Sequence, residues 1–429
     1  MLDFARQYTP LRQQILDAIV QVCDSQHFIL GPQIAAFEAA SAQICAAPFA
    51  IGCASGTDAL WLALAAAGIG KDPGVAAPGL DSATCASNAA VLTTPFSFFA
   101  TASAILRAGA RPLFADIDPR TFNLSPIAAA EVLDSPVGPS VKGILPVHLY
   151  GQCADWDAFA ALQRDHPGLL LIEDAAQAFG ALWNGAPAGS LGDAAAFSFY
   201  PTKNLAAMGD AGLVTASNAE IDRRVRSLRA HGMARRYFHD EVGANSRLDE
   251  MQAAVLNVKL RHVALWNRQR RERATRYDQL FREADLAVEW SPTGALSPNN
   301  ELGSPSIAAS SQWMGSTASP TSAVGPSTKD GIILPYTDPR ATHVFHQYVI
   351  RAPRRDALRA YLDAQQVGSE IYYPVPLHLQ SALRNLGYKP GDFPNAEHAA
   401  AEVLALPLYP EIRDDEQQTV VAAIRAFYT

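Results

Sequence analysis

The chain has 429 residues, 49% of them hydrophobic and 18% charged, with a formal net charge of −8. That length buries enough surface for two domains, and the acidic balance gives no electrostatic basis for binding nucleic acid or an anionic membrane. No apolar run reaches the roughly 20 residues a bilayer demands. The opening MLDFARQYTPLRQQ has neither the basic start nor the apolar run of a secretory signal. Five scattered cysteines with no C-x-x-C pair predict reduced, mostly buried thiols and no zinc cage, so a cytoplasmic protein is expected.

In chain order, LRQQILDAIVQVCDS places Leu11, Ile15, Ile19 and Val22 on one helical face. FILGPQIAAFEAASAQICAA predicts a turn at Gly31-Pro32 and a second helix. PFAIGCASGTDALWLALAAAGIG predicts strand, small-residue turn, helix and glycine stop. AVLTTPFSFFATASAIL, RPLFADIDPRTFNL, VKGILPVHLYG and LLLIEDAAQAFGA predict strands running into loops or helices. Buried runs alternating with helical stretches predict an α/β fold with a mostly parallel sheet. From Asn245 a long helical run leads to a smaller C-terminal domain. There HVFHQYVIRA predicts a strand, RRDALRAYLDAQQ a helix, and AEHAAAEVLALPLYP a helix ending at proline. The expected division is residues 1–260 and 261–429. Pro73–Ala89 and Ser291–Thr328, the latter rich in Ser, Pro, Gly, Thr and Ala, predict surface insertions.

The chemistry begins at FSFYPTKNLAAMGDAG, where Lys203 is the only cation in an apolar, small-residue stretch. Such a lysine either snorkels to the surface or is kept for its amine. Asp174 ends the buried run LLLIED, a position that caps a following helix or faces the ligand crevice of an open α/β sheet. The two are 29 residues apart, about one strand–loop–strand excursion. A lysine and an aspartate in one crevice point to pyridoxal phosphate: the amine forms a Schiff base, and the carboxylate keeps the pyridine nitrogen protonated. That cofactor needs an anion cradle. Ser55-Gly56-Thr57 opens a helix, as a cradle or as an ordinary cap. No G-x-G-x-x-G opens a helix, and there is no P-loop.

FILGP, ASGTDAL, TTPFSFFAT, VHLYGQ, IEDAAQAFGA, FSFYPTKNL, GDAG, NSRLDEMQAAVL, HQYVIR, YYPVPLHLQ and LPLYPE occur in order along the whole chain. Together they resemble the DegT/DnrJ-type aminotransferases that act on nucleotide-linked keto-sugars, a branch of PLP fold type I. The resemblance implies a large domain with a mixed, mostly parallel sheet flanked by helices, plus a smaller α+β domain. It implies Lys203 as Schiff-base lysine and proton shuttle, Asp174 at the pyridine nitrogen and Gln177 near the ring hydroxyl. Phe98 stacks on the ring, although a strand-end aromatic is by default core. Gly56, Thr57 and Ser198 bind the phosphate. Asn245 reaches the phosphate of the other subunit's cofactor, which makes a homodimer; read alone, Asn245-Ser246 is a helix start, with Ser246 and Asp249 as a capping box. Tyr150, Tyr373 and His378 are candidate substrate residues. His343 and His346 are expected one packed and one exposed, with no metal site. Arg229, Arg235 and Arg236 are candidates for a substrate diphosphate, with solvated surface as the alternative.

The implied reaction is ping-pong transamination. L-glutamate leaves its amine on the cofactor, and the amine passes to a keto-sugar, favouring the C3 ketone of a dTDP- or UDP-hexose over C4. A related dehydratase branch carries histidine in place of Lys203. A non-catalytic regulatory relative and other fold-type-I enzymes, such as a desulfurase or aldolase, remain as rivals.

Overall fold

The computed structural model describes residues 2–70, 88–289 and 331–429. The segment Ser291–Thr328 therefore lies outside the described residues, as do Cys85 and all of Pro73–Ala89 except its last two positions.

Seven strands form the central sheet: β1 (Phe49–Cys53), β2 (Ala90–Thr93), β3 (Arg111–Phe114), β4 (Val141–Leu145), β5 (Leu170–Asp174), β6 (Ala194–Ser198) and β7 (Gly212–Ala216). Their order is β1-β7-β6-β5-β4-β2-β3. β7 runs antiparallel to both neighbours, and every other pairing is parallel. The mostly parallel sheet expected from the buried runs is present.

The runs are apolar throughout because both faces are covered. Strand side chains alternate between faces. Leu171, Ala195 and Leu213 join one core with Phe37, Trp156, Phe159 and Leu256. Their chain neighbours Ile172, Ala196 and Val214 join the other, with Leu60, Ile105 and Val225. Phe199, just past β6, meets Phe37 and Phe179 edge-on at centroid distances of 5.3 and 5.5 Å. Such pairs add about 0.5–1.5 kcal/mol each beyond area burial, and they fix where the chain leaves β6.

The helix Pro32–Ile44 starts at Gly31 without a capping side chain of its own. Glu250, more than two hundred residues later in sequence, accepts from Gly31 N and Ile34 N at 3.1 and 3.2 Å. A carboxylate there satisfies orphan donors and complements the helix dipole.

The long run after Asn245 is two helices, Glu250–Leu260 and Val263–Glu283. The second leads to a four-stranded sheet, β8 (Ala287–Val288), β9 (Ile332–Ile333), β10 (Tyr348–Arg351) and β11 (Val403–Leu406), in that order. Helices Arg355–Ala364 and Asp414–Tyr428 pack with it around Tyr277, Phe281, Leu358 and Ile424. Two expectations change here. AEHAAAEVLALPLYP is helical only to Glu402 and continues as β11, since β-branched Val403 and the apolar residues after it pair with β10. Within HVFHQYVIRA only Tyr348–Arg351 is a strand.

Candidate active site

The site forms at the C-terminal ends of the parallel strands, where open α/β sheets bind ligands. Asp174 is the last residue of β5 and pairs in register with Ala196 of β6. The chain then leaves β6, turns at Tyr200-Pro201, and presents Lys203, whose amide donates to Tyr200 O at 2.8 Å. The 29-residue spacing is therefore the strand–loop–strand excursion expected.

Asp174 is 3% exposed. Its Oδ2 accepts from Thr101 Oγ1 at 2.7 Å, and its Oδ1 from Ala176 N at 3.3 Å. Burial raises its pKa, against the pull of Thr101, Ala176, Lys203 and His148. Among the described residues it has no ion-pair partner within 4.0 Å. Lys203 is partly exposed, and its amine has no hydrogen-bond partner among the described residues. Desolvation lowers its pKa from 10.5 to about 8, with the Asp174 carboxylate opposing.

The turn that carries Lys203 is held from outside the sheet. Asn204 Nδ2 donates to Asn267 Oδ1 at 2.9 Å and Val344 O at 3.0 Å, and Asn204 Oδ1 faces His346 Nδ1 at 3.3 Å. Lys259, buried on the helix Glu250–Leu260, donates to Ala206 O at 2.8 Å. Gly209 follows at φ +150°, a conformation that favours glycine.

Ser55 caps the helix Gly56–Ala66 by accepting from Asp58 N at 3.1 Å, so the stretch is a cap. Yet the N–H groups of Gly56 and Thr57 have no acceptor among the described residues, which leaves two donors free beside the cap. The helix start presses on the sheet. A Cβ on Gly56 would lie 2.5 Å from Ser198 Cβ, and one on Gly212 would lie 2.3 Å from Ser55 O. Gly212 is thus required by the approach of the helix, not by the turn before it. Ser198 Oγ accepts from Tyr200 N at 3.4 Å.

Phe98 is 57% exposed, while its neighbour Phe96 is the core residue. The Phe98 ring lies 6.1 Å from that of Tyr373. Gln177 spends its amide on two bonds: Oε1 accepts from Tyr150 N at 2.7 Å, and Nε2 donates to Tyr373 Oη at 3.1 Å. Tyr150 is buried and donates its hydroxyl to Tyr372 O. Gln177, Tyr150, Tyr373 and Phe98 are thus linked through contacts. His378 is not among them. Its side chain has no exposure and bonds Glu397 Oε1 at 3.0 Å, against the Phe393 ring. It anchors the loop Tyr372–Gln380 from behind.

Asn245 is exposed and pairs by backbone with Ala230. It does not start a helix, and the expected capping box is absent: Ser246 Oγ donates to Asp58 Oδ2 at 2.7 Å instead. Arg229 is buried, 2.6 Å from both Glu38 Oε1 and Gly52 O, and takes no part in the crevice. Arg235 and Arg236 are exposed. His343 and His346 are both buried, correcting the expectation of one exposed ring. His343 stacks on Phe345 at 3.8 Å, and burial depresses both imidazoles.

A profile of the DegT/DnrJ/EryC1/StrS aminotransferase family matches residues 10–298 and 328–425. The chain belongs to this family. Among its relatives, a pleiotropic regulatory protein of Geobacillus stearothermophilus is 44% identical, over 100% of this chain and 98% of its own. A UDP-N-acetyl-3-dehydro-alpha-D-glucosamine 3-aminotransferase of Acidithiobacillus ferrooxidans is 38% identical, over 99% and 96%. The crystal structure of S. venezuelae DesV in complex with a ketimine intermediate aligns with TM-score 0.81 at 34% identity, covering 99% of this chain and 97% of that one. As a DegT/DnrJ/EryC1/StrS aminotransferase, the chain depends on pyridoxal phosphate, and the residues present fit it. A buried carboxylate without an ion-pair partner among the described residues suits a protonated ring nitrogen. An unpartnered, readily neutral amine suits an aldehyde, and free N–H groups at a helix start suit a phosphate.

Three participants carried no signal in the sequence. Thr101, Asn204 and Lys259 act through partners 73, 140 and 53 residues away.

Proposed function

We propose that this protein transfers an amine from L-glutamate to the C3 ketone of a nucleoside-diphosphate-linked hexose, as a cytoplasmic homodimer. The observation that carries the reading is a buried carboxylate with no ion-pair partner among the described residues, Asp174, near enough to the unpartnered Lys203 amine for each charge to act on the other. Membership of an aminotransferase family supports the reaction class, and the name of the 38% identical relative supports a 3-keto sugar. Among the described residues no helix is long and apolar enough to cross a membrane.

Bound in this crevice, pyridoxal phosphate supplies an aldehyde that condenses with amines and a ring that accepts the electrons left when a Cα proton departs. Lys203 is the amine that would hold that aldehyde, and once released it would move the proton at the amino-acid Cα. Desolvation lowers its pKa from 10.5 to about 8, so its amine gives up a proton more readily than an ordinary lysine and suits a group that acts as base and, once protonated, as acid. Asp174 would hold the ring nitrogen protonated. Gly56, Thr57 and Ser198 would hold the phosphate, Phe98 would cover a ring face, and Gln177 would serve the ring hydroxyl. Asn245, exposed on one chain, would serve the phosphate held by a second copy. Tyr373 and Tyr150 shape the sugar side, and Arg235 and Arg236 are candidates for the diphosphate.

The name of the 44% identical relative favours a second reading, a protein that binds the cofactor and regulates without turnover. One titration separates them. With pyridoxal phosphate the wild type develops a visible band, and L-glutamate converts it to the near-ultraviolet band of pyridoxamine phosphate; Lys203→Ala lacks the first band. A band that forms and never converts supports the regulatory reading. No band at all overturns the assignment of Lys203.

A further inference from the structure

The Asp174 carboxylate is served by a chain of two hydroxyls. Ser97 Oγ and Thr101 Oγ1 are 2.9 Å apart, and Thr101 Oγ1 is 2.7 Å from Asp174 Oδ2. Ser97 is 4% and Thr101 1% exposed, so water does not replace either bond. A hydroxyl has one proton to give. An ionised Asp174 only accepts, so Thr101 donates to it, and Ser97 then donates to Thr101. Both bonds point toward the carboxylate. Hydrogen bonds to an ionised acceptor are roughly twice as strong as neutral ones, so this polarity favours the anion over the acid.

The placement adds a second effect. Thr101 lies in the first turn of the helix Ala100–Arg107, and its amide donates to Phe98 O at 3.2 Å. One residue therefore joins the loop bearing the exposed Phe98 ring to the carboxylate at the end of β5. We infer that Thr101 is a positioning residue: its hydroxyl, supplied by Ser97, holds Asp174 as an anion oriented toward the ring nitrogen of the bound cofactor and in register with Phe98. This rests on the role proposed for Asp174. The other titratable groups facing Asp174 are Lys203 from the turn after β6, His148 from the segment after β4, and Tyr373 from the loop Tyr372–Gln380. Only Thr101 donates a side-chain hydrogen bond to the carboxylate among the described residues. Burial pushes the Asp174 carboxyl up, and Thr101 is the largest influence holding it down.

The test uses Thr101→Val, which keeps shape and removes the donor, and Thr101→Ser, which keeps the donor. In the cofactor-free protein, 13C NMR of the Asp174 carboxyl should titrate about one pH unit higher in Thr101→Val, and as wild type in Thr101→Ser. This readout needs no cofactor. In protein loaded with 15N-labelled pyridoxal phosphate, the ring-nitrogen shift should move toward the unprotonated value in Thr101→Val. Its turnover should fall about 10- to 100-fold with the KM for L-glutamate little changed, and Thr101→Ser should recover it to within a few-fold. If Thr101→Val does not fold, Ser97→Ala removes the second donor alone, and a smaller shift of the same sign is expected. A wild-type Asp174 titration in the donor-less variants overturns the inference. If the carboxyl shifts as expected but no cofactor binds even to wild type, the failure lies in the functional reading, and Thr101 is left as a partner of the carboxylate only.

Discussion

Glu173 and Asp174 are consecutive on β5 and serve opposite faces of the sheet. Glu173 accepts from Gly189 N at 2.7 Å, Leu191 N at 2.9 Å, Gly192 N at 3.0 Å and His148 Nε2 at 3.1 Å. His148 Nδ1 accepts from Ala154 N at 3.0 Å, so its proton is on Nε2 and points at Glu173. Asp174 has two hydrogen-bond donors and, among the described residues, no ion-pair partner within 4.0 Å. One carboxylate builds the fold, and the other is the one proposed above to meet the cofactor.

The two should separate in mutagenesis. Glu173→Gln strands at least one of those donors and should cost about 2–4 kcal/mol of stability. Asp174→Asn should not destabilise the cofactor-free protein at neutral pH, because burial holds the native carboxyl above its ordinary pKa, and the stability lost as pH rises past that ordinary value is regained in the amide. It should abolish turnover. Thermal melts beside a transamination assay read both.

Lys203 gives a pH signature. Its pKa in the folded chain, about 8, lies below 10.5, so the unfolded chain binds the proton more tightly between those values. Stability of the cofactor-free wild type should therefore carry a component that rises from pH 8 to 10.5. Lys203→Met should remove that component and stabilise the protein at pH 7 by on the order of 1–3 kcal/mol. The rate of pyridoxal phosphate capture should rise through about pH 8. In Asp174→Asn that limb should move to lower pH, since the opposing carboxylate is gone. Stopped-flow absorbance at several pH values checks this.

Gly56 and Gly212 set how closely the helix start approaches β6 and β7. Gly56→Ala places a methyl 2.5 Å from Ser198 Cβ. Overpacking of this kind costs about 1–3 kcal/mol, and displacing the N–H groups should weaken cofactor binding at least tenfold. Equilibrium dialysis against pyridoxal phosphate measures the loss; unchanged affinity would remove Gly56 from the phosphate site.

Tyr150→Phe deletes only the hydroxyl that donates to Tyr372 O. The loop Tyr372–Gln380 keeps its His378–Glu397 anchor and should loosen near Tyr373. The half-reaction with L-glutamate should be little changed, while KM for the keto-sugar should rise several-fold. Equal losses in both half-reactions would point to damage at the cofactor instead.

The sheet was legible because its strands are short apolar runs separated by helical stretches, and Asp174 and Lys203 because their spacing matches one excursion between adjacent strands. Motifs located Gln177, Phe98 and the Gly56-Thr57 turn. What sequence reading missed depends on distant partners. His343 and His346 alternate with apolar residues, which suggested one exposed ring. Both are enclosed because the segment before β10 packs against the turn bearing Asn204 and the helix bearing Asn267. Ser246 has the form of a cap, but Asp58 claims its hydroxyl. Arg229, a candidate for the substrate diphosphate or else solvated surface, is neither: it is buried against Glu38.

The bonds of Asn204 and Lys259 have a thermodynamic consequence. The turn bearing Lys203 lies between β6 and β7 in sequence, yet its side-chain bonds run to the helices Glu250–Leu260 and Val263–Glu283 and to Val344. Its opening is therefore coupled to those elements as well as to the end of β6, where Phe199 O accepts from Ala207 N at 2.8 Å. In native-state hydrogen exchange the amides of residues 203–207 should lose protection together with Val263–Glu283, before the centre of the sheet, as one cooperative unit.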